Sequence, residues 1–340
     1  MRPHSSPLVI GHRGACGYRP EHTRSAFEFA LQLGADLVEP DIVATKDGVL
    51  VLRHENEIST TTDVADRPEF AHLRTTKEVD GHELTGWFTE DFTWPQLATL
   101  RARERLGKLR QASASFDGQY PILKLEHLFD LVDRAAEASD RELGVVAELK
   151  HATYFESIGL PLDELFADVV QKVGWQGETG RLVVESFEKT VLRKVRERGI
   201  RGTRVYLVEA DGAAYDLVAK DGSAATPYAE EIGETGLYAL ATRRGLDAIE
   251  GISVDKALLL DPAAEGGTTD LVDRAHAVGL AVFTWTLRPE NRFLSEPFRA
   301  GKKNGFGRWQ DEFRTIMATG VDGVFADHPD LALVARDSLG

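Results

Sequence analysis

The sequence predicts an α/β fold: a (β/α)8 barrel carrying a long insertion after its third strand. Three observations lead there. Amphipathic stretches end at a glycine and are followed by a short apolar run, at Gly34 before "ADLVEPDIV", Gly199 before "TRVYLVE", Gly279 before "LAVFTWT" and Gly320 before "VDGVFAD". Glycine after a helix is the usual left-handed cap, and alternating helices and β-rich runs make βα units with a parallel sheet. The runs that read as strands number nine, and one of them is a hairpin return, which leaves the eight of a barrel.

In order, the candidate strands are residues 8–10, 37–43, 49–54, 143–150, 182–187, 203–209, 251–255, 280–286 and 322–327. Only "ATKDG" separates the second from the third. A Lys-Asp-Gly turn closes a hairpin, whereas a parallel crossover needs a dozen residues or more. A doubly wound open sheet is the alternative architecture. The repeat lapses over residues 56–120, too long a stretch for a βα loop. It is read as an insertion forming a lid or wall over one barrel face, within a single domain spanning residues 1–340. Inside it, "RARERLGKLR" reads as the solvated face of a basic helix. A second long loop, residues 288–309, directly follows a strand.

Composition limits the function. Of 340 residues 42% are hydrophobic and 28% charged, an ordinary balance for a globular chain long enough to bury a large core. A net charge of −15 argues against a nucleic-acid backbone as partner, which needs clustered Lys and Arg. A small phosphorylated substrate needs only one local cationic site. Cys16 is the single cysteine, so no intramolecular disulfide forms, and a reducing compartment is favoured. There is no apolar run of transmembrane length. "MRPHSSP" leaves no room for a signal peptide before the first strand. The expected location is therefore cytoplasmic, with a secreted or periplasmic protein lacking its leader as the alternative. Oligomeric state is not legible.

In a barrel the C-terminal strand ends form the active site. Here they carry charge that strands do not need for folding. His12 and Arg13 follow the first strand, and His54 ends the third run. Glu39 and Asp41 lie two apart in the second, hence on one face, expected to be that of Leu37 and Val43. Glu148 and Lys150 end the fourth run in the same way. Three converging carboxylates repel one another, and a bound cation resolves the repulsion; all-oxygen donors suit one Ca²⁺ or Mg²⁺. Arg13 and Lys150 beside it suit a phosphate, and two histidines suit proton donation and acceptance. The set fits phosphodiester hydrolysis. Each element alone is weak, since an E-x-D in a strand is commonly a structural ion pair. Their coincidence at strand ends carries the reading.

"GHRG…PEHT…GADLVEPDIVATKDGVLVLRHE", with the later "ELK", "ESF", "FTWT" and "DGVFADHP", resembles the signature of the glycerophosphodiester phosphodiesterases over nearly the whole chain. The insertion resembles that of the longer bacterial members. The resemblance implies a metal-dependent barrel that hydrolyses a small-molecule glycerophosphodiester, such as a deacylated phospholipid, to an alcohol and sn-glycerol 3-phosphate through a cyclic phosphate. It implies Glu39, Asp41 and Glu148 as metal ligands and His12 and His54 as general base and acid. Arg13 and Lys150 would hold phosphate, Glu21 would orient groups nearby, and Phe187 and Trp285 would line the pocket. Two positions depart from the family pattern. His22 replaces the usual Asn of Pro-Glu-Asn-Thr, and Glu55 replaces the usual Asp of His-Asp. Two other readings stand beside this one: a phospholipase-type lyase releasing a cyclic phosphate, and a phosphodiester-binding barrel without turnover. Trp87, Phe88, Trp94, Phe306 and Trp309 are candidates for the mouth, with packing of the insertion as their ordinary role.

Overall fold

Among the described residues twelve strands order the fold: β1 (Leu8–His12), β2 (Leu37–Glu39), β3 (Asp41–Ala44), β4 (Leu50–Leu52), β5 (Thr75–Val79), β6 (His82–Gly86), β7 (Gly144–Leu149), β8 (Leu182–Ser186), β9 (Thr203–Val208), β10 (Gly251–Asp255), β11 (Ala281–Leu287) and β12 (Gly323–Ala326). The structure is a computed structural model and describes residues 6–339. Parallel pairing runs β2–β1–β12–β11–β10–β9–β8–β7, and β7 closes onto β2. The result is an eight-stranded barrel with helices outside, as the alternating pattern predicts.

Strands β2 and β3 are one strand interrupted by Pro40, which has no N–H to donate. Register with β7 is unbroken across the proline, from Leu37↔Gly144 to Asp41↔Glu148. The Pro40 carbonyl still accepts from Glu148 N at 3.0 Å. Strand β4 returns antiparallel to β3, with Ile42 opposite Leu52, and brings His54 back to the barrel rim. The expected glycine caps are present: Gly34, Gly199, Gly279 and Gly320 all have φ between +86° and +104°.

An apolar plug fills the lumen: Ile10, Leu37, Val146, Val183, Val205, Phe283 and Phe325. Side chains alternate along a strand, so the residue two positions on returns to the lumen one layer higher. Those residues are His12, Glu39, Glu148, Glu185, Leu207, Trp285 and Asp327. The polar layer of the site is thus the next turn of the pleat above the plug. Val43 does not follow this rule as expected. It belongs to the larger core outside the lumen, because β3 rises past the rim, where the insertion covers it. Lys46 N donates there to Phe92 O, and Val51 bridges to Lys124.

In the insertion, β5 and β6 form an antiparallel hairpin. Its two-residue turn, Asp80-Gly81, has φ of +48° and +78°, the mirror-image geometry that suits a tight hairpin. "RARERLGKLR" is not a helix. Its residues form bridges and turns, and two of its arginines run to the barrel as described below. No helix among the described residues is long and apolar enough to cross a membrane.

Candidate active site

A cavity of about 1230 Å³ opens at the C-terminal rim, lined by His12, Arg13, Glu39, His54, Glu55, Glu148, Lys150, Phe187 and Trp285 among others. The hairpin tip from Val79 to His82 lines its outer wall. Asp41 and Glu21 stand behind this lining and are buried. The structure therefore brings together the ten residues expected to hold metal, move protons or bind substrate.

One oxygen from each of Glu39, Asp41 and Glu148 lies within 4.8 Å of the others. Glu39 Oε2 accepts from Arg13 N at 2.8 Å, but its Oε1 is buried without a hydrogen-bond partner. Asp41 Oδ2 lies 2.8 Å from His22 Nε2 and 3.2 Å from Arg13 Nε. Lys150 Nζ lies 3.0 Å from Glu148 Oε1 and 3.9 Å from Asp41 Oδ1. Burial, with Asp41 and Glu148 adding repulsion, pushes the Glu39 carboxyl well above its ordinary range. Burial outweighs Lys150 and raises Glu148 to about 8. At Asp41 burial is outweighed by its polar neighbours, among them the Arg13 and Lys150 charges and the His22 hydrogen bond, which hold the acid well below its ordinary range. Three buried carboxylates, one with an orphaned oxygen, fit a hard divalent cation.

The two histidines are neutral at pH 7. Burial, then the Arg13 charge, lowers His12 to about 4 against the pull of Asp327. Burial, then Arg13 and Lys150, lowers His54 to about 3. His12 Nδ1 is 2.6 Å from Asp327 Oδ1, so the carboxylate accepts the Nδ1 proton and Nε2 keeps a free lone pair. Asp327 is itself gripped by Arg110 Nη2 at 2.6 Å and Arg288 Nε at 2.8 Å. His54 Nδ1 lies 2.6 Å from Glu55 Oε1, out of hydrogen-bond alignment.

Arg13 sits in a tight turn that the glycines permit. Its own φ is +54° and that of Gly14 is +83°, where a Cβ would stand 2.5 Å from the Ala26 carbonyl carbon. Glu21 aligns the Arg13 guanidinium, accepting from Nη1 at 3.2 Å. Arg105 holds Glu21 in turn with two hydrogen bonds, at 2.7 and 3.1 Å. Phe187 and Trp285 meet edge to face at 5.9 Å, with Lys150 Nζ 5.6 Å from the Phe187 ring.

Sequence reasoning missed several residues here. Asp327 lies in the quoted "DGVFADHP", and its alternation with Phe325 marked it as inward-facing. Glu185, in "ESF", is a fourth buried carboxylate of the same layer, with Oε2 unpartnered. His22, left without a role, is fully buried and braces Asp41. Arg105 and Arg110 carried no local signal. Arg110 links Asp327 to Glu290, across 217 and 180 positions of sequence. The aromatic candidates for the mouth do not line the cavity. Trp87 and Phe88 are buried in packing, Trp94 packs against the core, Trp309 meets Phe313 edge to face, and Phe306 is exposed beside His328.

The Glycerophosphoryl diester phosphodiesterase family profile matches residues 12–331. Among curated proteins, the chain is 30% identical over 340 aligned residues to "Glycerophosphodiester phosphodiesterase GDPD6" of Arabidopsis thaliana, covering 95% of this chain and 84% of that one. Three bacterial relatives named glycerophosphodiester phosphodiesterase are matched over only 52% to 60% of their own length. Among solved structures, a Silicibacter pomeroyi chain provisionally described as a glycerophosphoryl diester phosphodiesterase superposes with a TM-score of 0.69. It is 23% identical, with 100% of this chain and 96% of that one covered. An Oleispira antarctica phosphodiesterase, solved with its product sn-glycerol-3-phosphate, superposes at 0.61. It is 19% identical, with 98% and 97% covered. These two likenesses bear on the fold, and the profile match bears on the family. The chain belongs to the glycerophosphoryl diester phosphodiesterase family, a family of phosphoric diester hydrolases.

Proposed function

We propose that this chain hydrolyses glycerophosphodiesters, such as deacylated phospholipids, to an alcohol and sn-glycerol 3-phosphate, using a bound Ca²⁺ or Mg²⁺. The observation that carries the reading is the meeting, in one cavity, of three buried carboxylates, two neutral imidazoles and the cations Arg13 and Lys150. Glu39, Asp41 and Glu148 would hold the cation, which supplies positive charge against the phosphate oxygens. The product complex of the Oleispira relative supports the substrate class.

Arg13 and Lys150 hold the remaining phosphate charge, Arg13 being aligned by Glu21. His12 Nε2, its lone pair exposed by the Asp327 contact, takes the proton of the glycerol hydroxyl neighbouring the phosphate ester. That oxygen attacks phosphorus as the bond to the alcohol breaks. His54 gives its proton to the leaving alcohol oxygen, and the anionic diester beside it favours the protonated ring this step needs. The cyclic phosphate is opened by water with the roles of the two rings reversed. Attack from within the same molecule avoids the entropy of bringing in a separate nucleophile. Phe187 and Trp285 form the apolar wall against the glycerol carbons. The reaction is assigned to a single barrel domain with its insertion, in a cytoplasmic setting consistent with a free, buried Cys16.

The test is glycerol 3-phosphate release from glycerophosphocholine by His12→Ala and His54→Ala. Each should lose roughly 10²- to 10⁴-fold in turnover, the usual worth of a general acid or base. Near-normal activity in both would overturn the reading. Phosphorus NMR of the product reports the cyclic step: transient cyclic phosphate supports it, and accumulated cyclic product identifies a lyase instead.

A further inference from the structure

His151, directly after the proposed phosphate ligand Lys150, was not singled out by the sequence and has no part in the steps above. Its backbone is left-handed, with φ +52°, uncommon for a residue with a side chain. Its ring is placed between two carboxylates. Nδ1 lies 2.5 Å from Asp80 Oδ2, and Nε2 lies 3.2 Å from Glu55 Oε2. The other oxygen of Glu55 is the one that faces His54 Nδ1 at 2.6 Å. A ring can donate to two carboxylates at once only as the imidazolium. Burial opposes that form, but the bonds to Asp80 and Glu55 outweigh it and push His151 up to about 9.

Four side chains therefore stand in line: Asp80, His151, Glu55, His54. Asp80 belongs to the tip of the β5–β6 hairpin, in the insertion, and His54 to the cavity lining at the barrel rim. The line also accounts for the departure at position 55. Aspartate there would be shorter by one methylene, about 1.5 Å. It would face His54 without spanning to His151.

We propose that His151 is a positioning residue for His54, acting through Glu55 and anchored by Asp80 at the hairpin tip. The proposal rests on the reading of His54 as a proton-transfer group. The hydrogen bond from His151 Nε2, with His151 itself anchored on Asp80, fixes the Glu55 carboxylate, and the other Glu55 oxygen, 2.6 Å from His54 Nδ1, sets the tilt of the His54 ring. The same contacts tie the hairpin tip down over the cavity, so the insertion takes part in the chemistry as well as the wall.

The test is a double-mutant cycle read by steady-state hydrolysis of glycerophosphocholine at saturating divalent cation. His151→Ala should lower kcat by about 10- to 100-fold, the worth of a charged hydrogen bond expressed as a rate, with KM changed far less. In a Glu55→Asp background the same substitution should change kcat by less than about threefold, because the shorter acid no longer reaches the ring. Asp80→Asn, a milder change at the hairpin tip, should lower kcat in the same direction, and its effect should not add to that of His151→Ala. It carries the test if His151→Ala fails to fold. Equal losses in the wild-type and Glu55→Asp backgrounds would mark His151 as merely structural and overturn the proposal. So would a kcat within twofold of wild type in both His151→Ala and Asp80→Asn while His54→Ala is inactive. An active His54→Ala would instead overturn the assignment of His54 on which the proposal stands.

Discussion

Asp327→Asn probes the orientation of His12 with almost no change in shape. The carboxylate has three polar neighbours: the neutral His12 ring, through Nδ1 at 2.6 Å, and two cations, Arg110 Nη2 at 2.6 Å and Arg288 Nε at 2.8 Å. If the amide oxygen faces the ring, what is lost is the charge on one hydrogen bond. That is about 1.5–3 kcal/mol, or roughly 10- to 150-fold in kcat. If the amide nitrogen faces the ring, it donates to Nδ1 and forces the proton onto Nε2. The base is then blocked, and the loss approaches the ~10⁴-fold known for a miscast tautomer. Folding suffers as well. Arg110 keeps Glu290 at 2.7 Å, and the part-exposed Arg288 can turn to water. The stability cost therefore falls near the lower end for a broken buried pair, about 3 kcal/mol. Calorimetry should show a fall in Tm of several degrees. The assay is coupled release of glycerol 3-phosphate, with kcat and KM separated. KM should change little, since Asp327 does not line the cavity. A kcat within threefold of wild type, with only Tm lowered, would refute the role given to Asp327.

Three other outcomes are expected. His22→Ala removes the 2.8 Å brace on Asp41 and should weaken divalent-cation affinity about 10- to 100-fold, measured by titrating Tm or activity with the cation; unchanged affinity would contradict it. The cation-free protein holds a proton on Glu148 up to about pH 8, and on Glu39 above the ordinary carboxyl range, and a cation must displace those protons. The rise in Tm on adding a fixed concentration of Ca²⁺ should therefore grow from pH 6 to pH 8, and a flat or falling response would count against these ligands. Gly17→Ala would place a methyl 2.2 Å from the His328 ring, and should lose about 1–3 kcal/mol of stability in a denaturant melt; a neutral effect would show the turn to be looser than drawn.

The barrel was readable because its signals are local. Apolar runs, glycines at helix ends and the short "ATKDG" link each report on a few neighbouring residues, and the eight-strand tally follows from them. The polar layer was readable for the same reason, since Glu39, Asp41 and Glu148 betray themselves as charges in apolar strands. The β5–β6 hairpin had a local signal, an Asp-Gly pair between alternating residues, which the strand tally did not use. What joins the layer to its support is not local. Arg105 on Glu21, Arg110 on Asp327 and His151 on Asp80 link residues 84, 217 and 71 positions apart. No period or turn in the sequence announces such pairs. "RARERLGKLR" shows the consequence: read alone, its charges look solvated, yet Arg110 is buried between two carboxylates.

The central claim, cation-dependent hydrolysis at this carboxylate cluster, is tested most directly by chelation and add-back. The enzyme is stripped with a chelator, and glycerol 3-phosphate release from glycerophosphocholine is followed before and after adding Ca²⁺ or Mg²⁺, beside Glu39→Gln. Release should stop on stripping, return with at least one of the two ions, and fail to return in Glu39→Gln at the same concentration. Full turnover by the stripped enzyme, or full recovery in Glu39→Gln, would contradict the account.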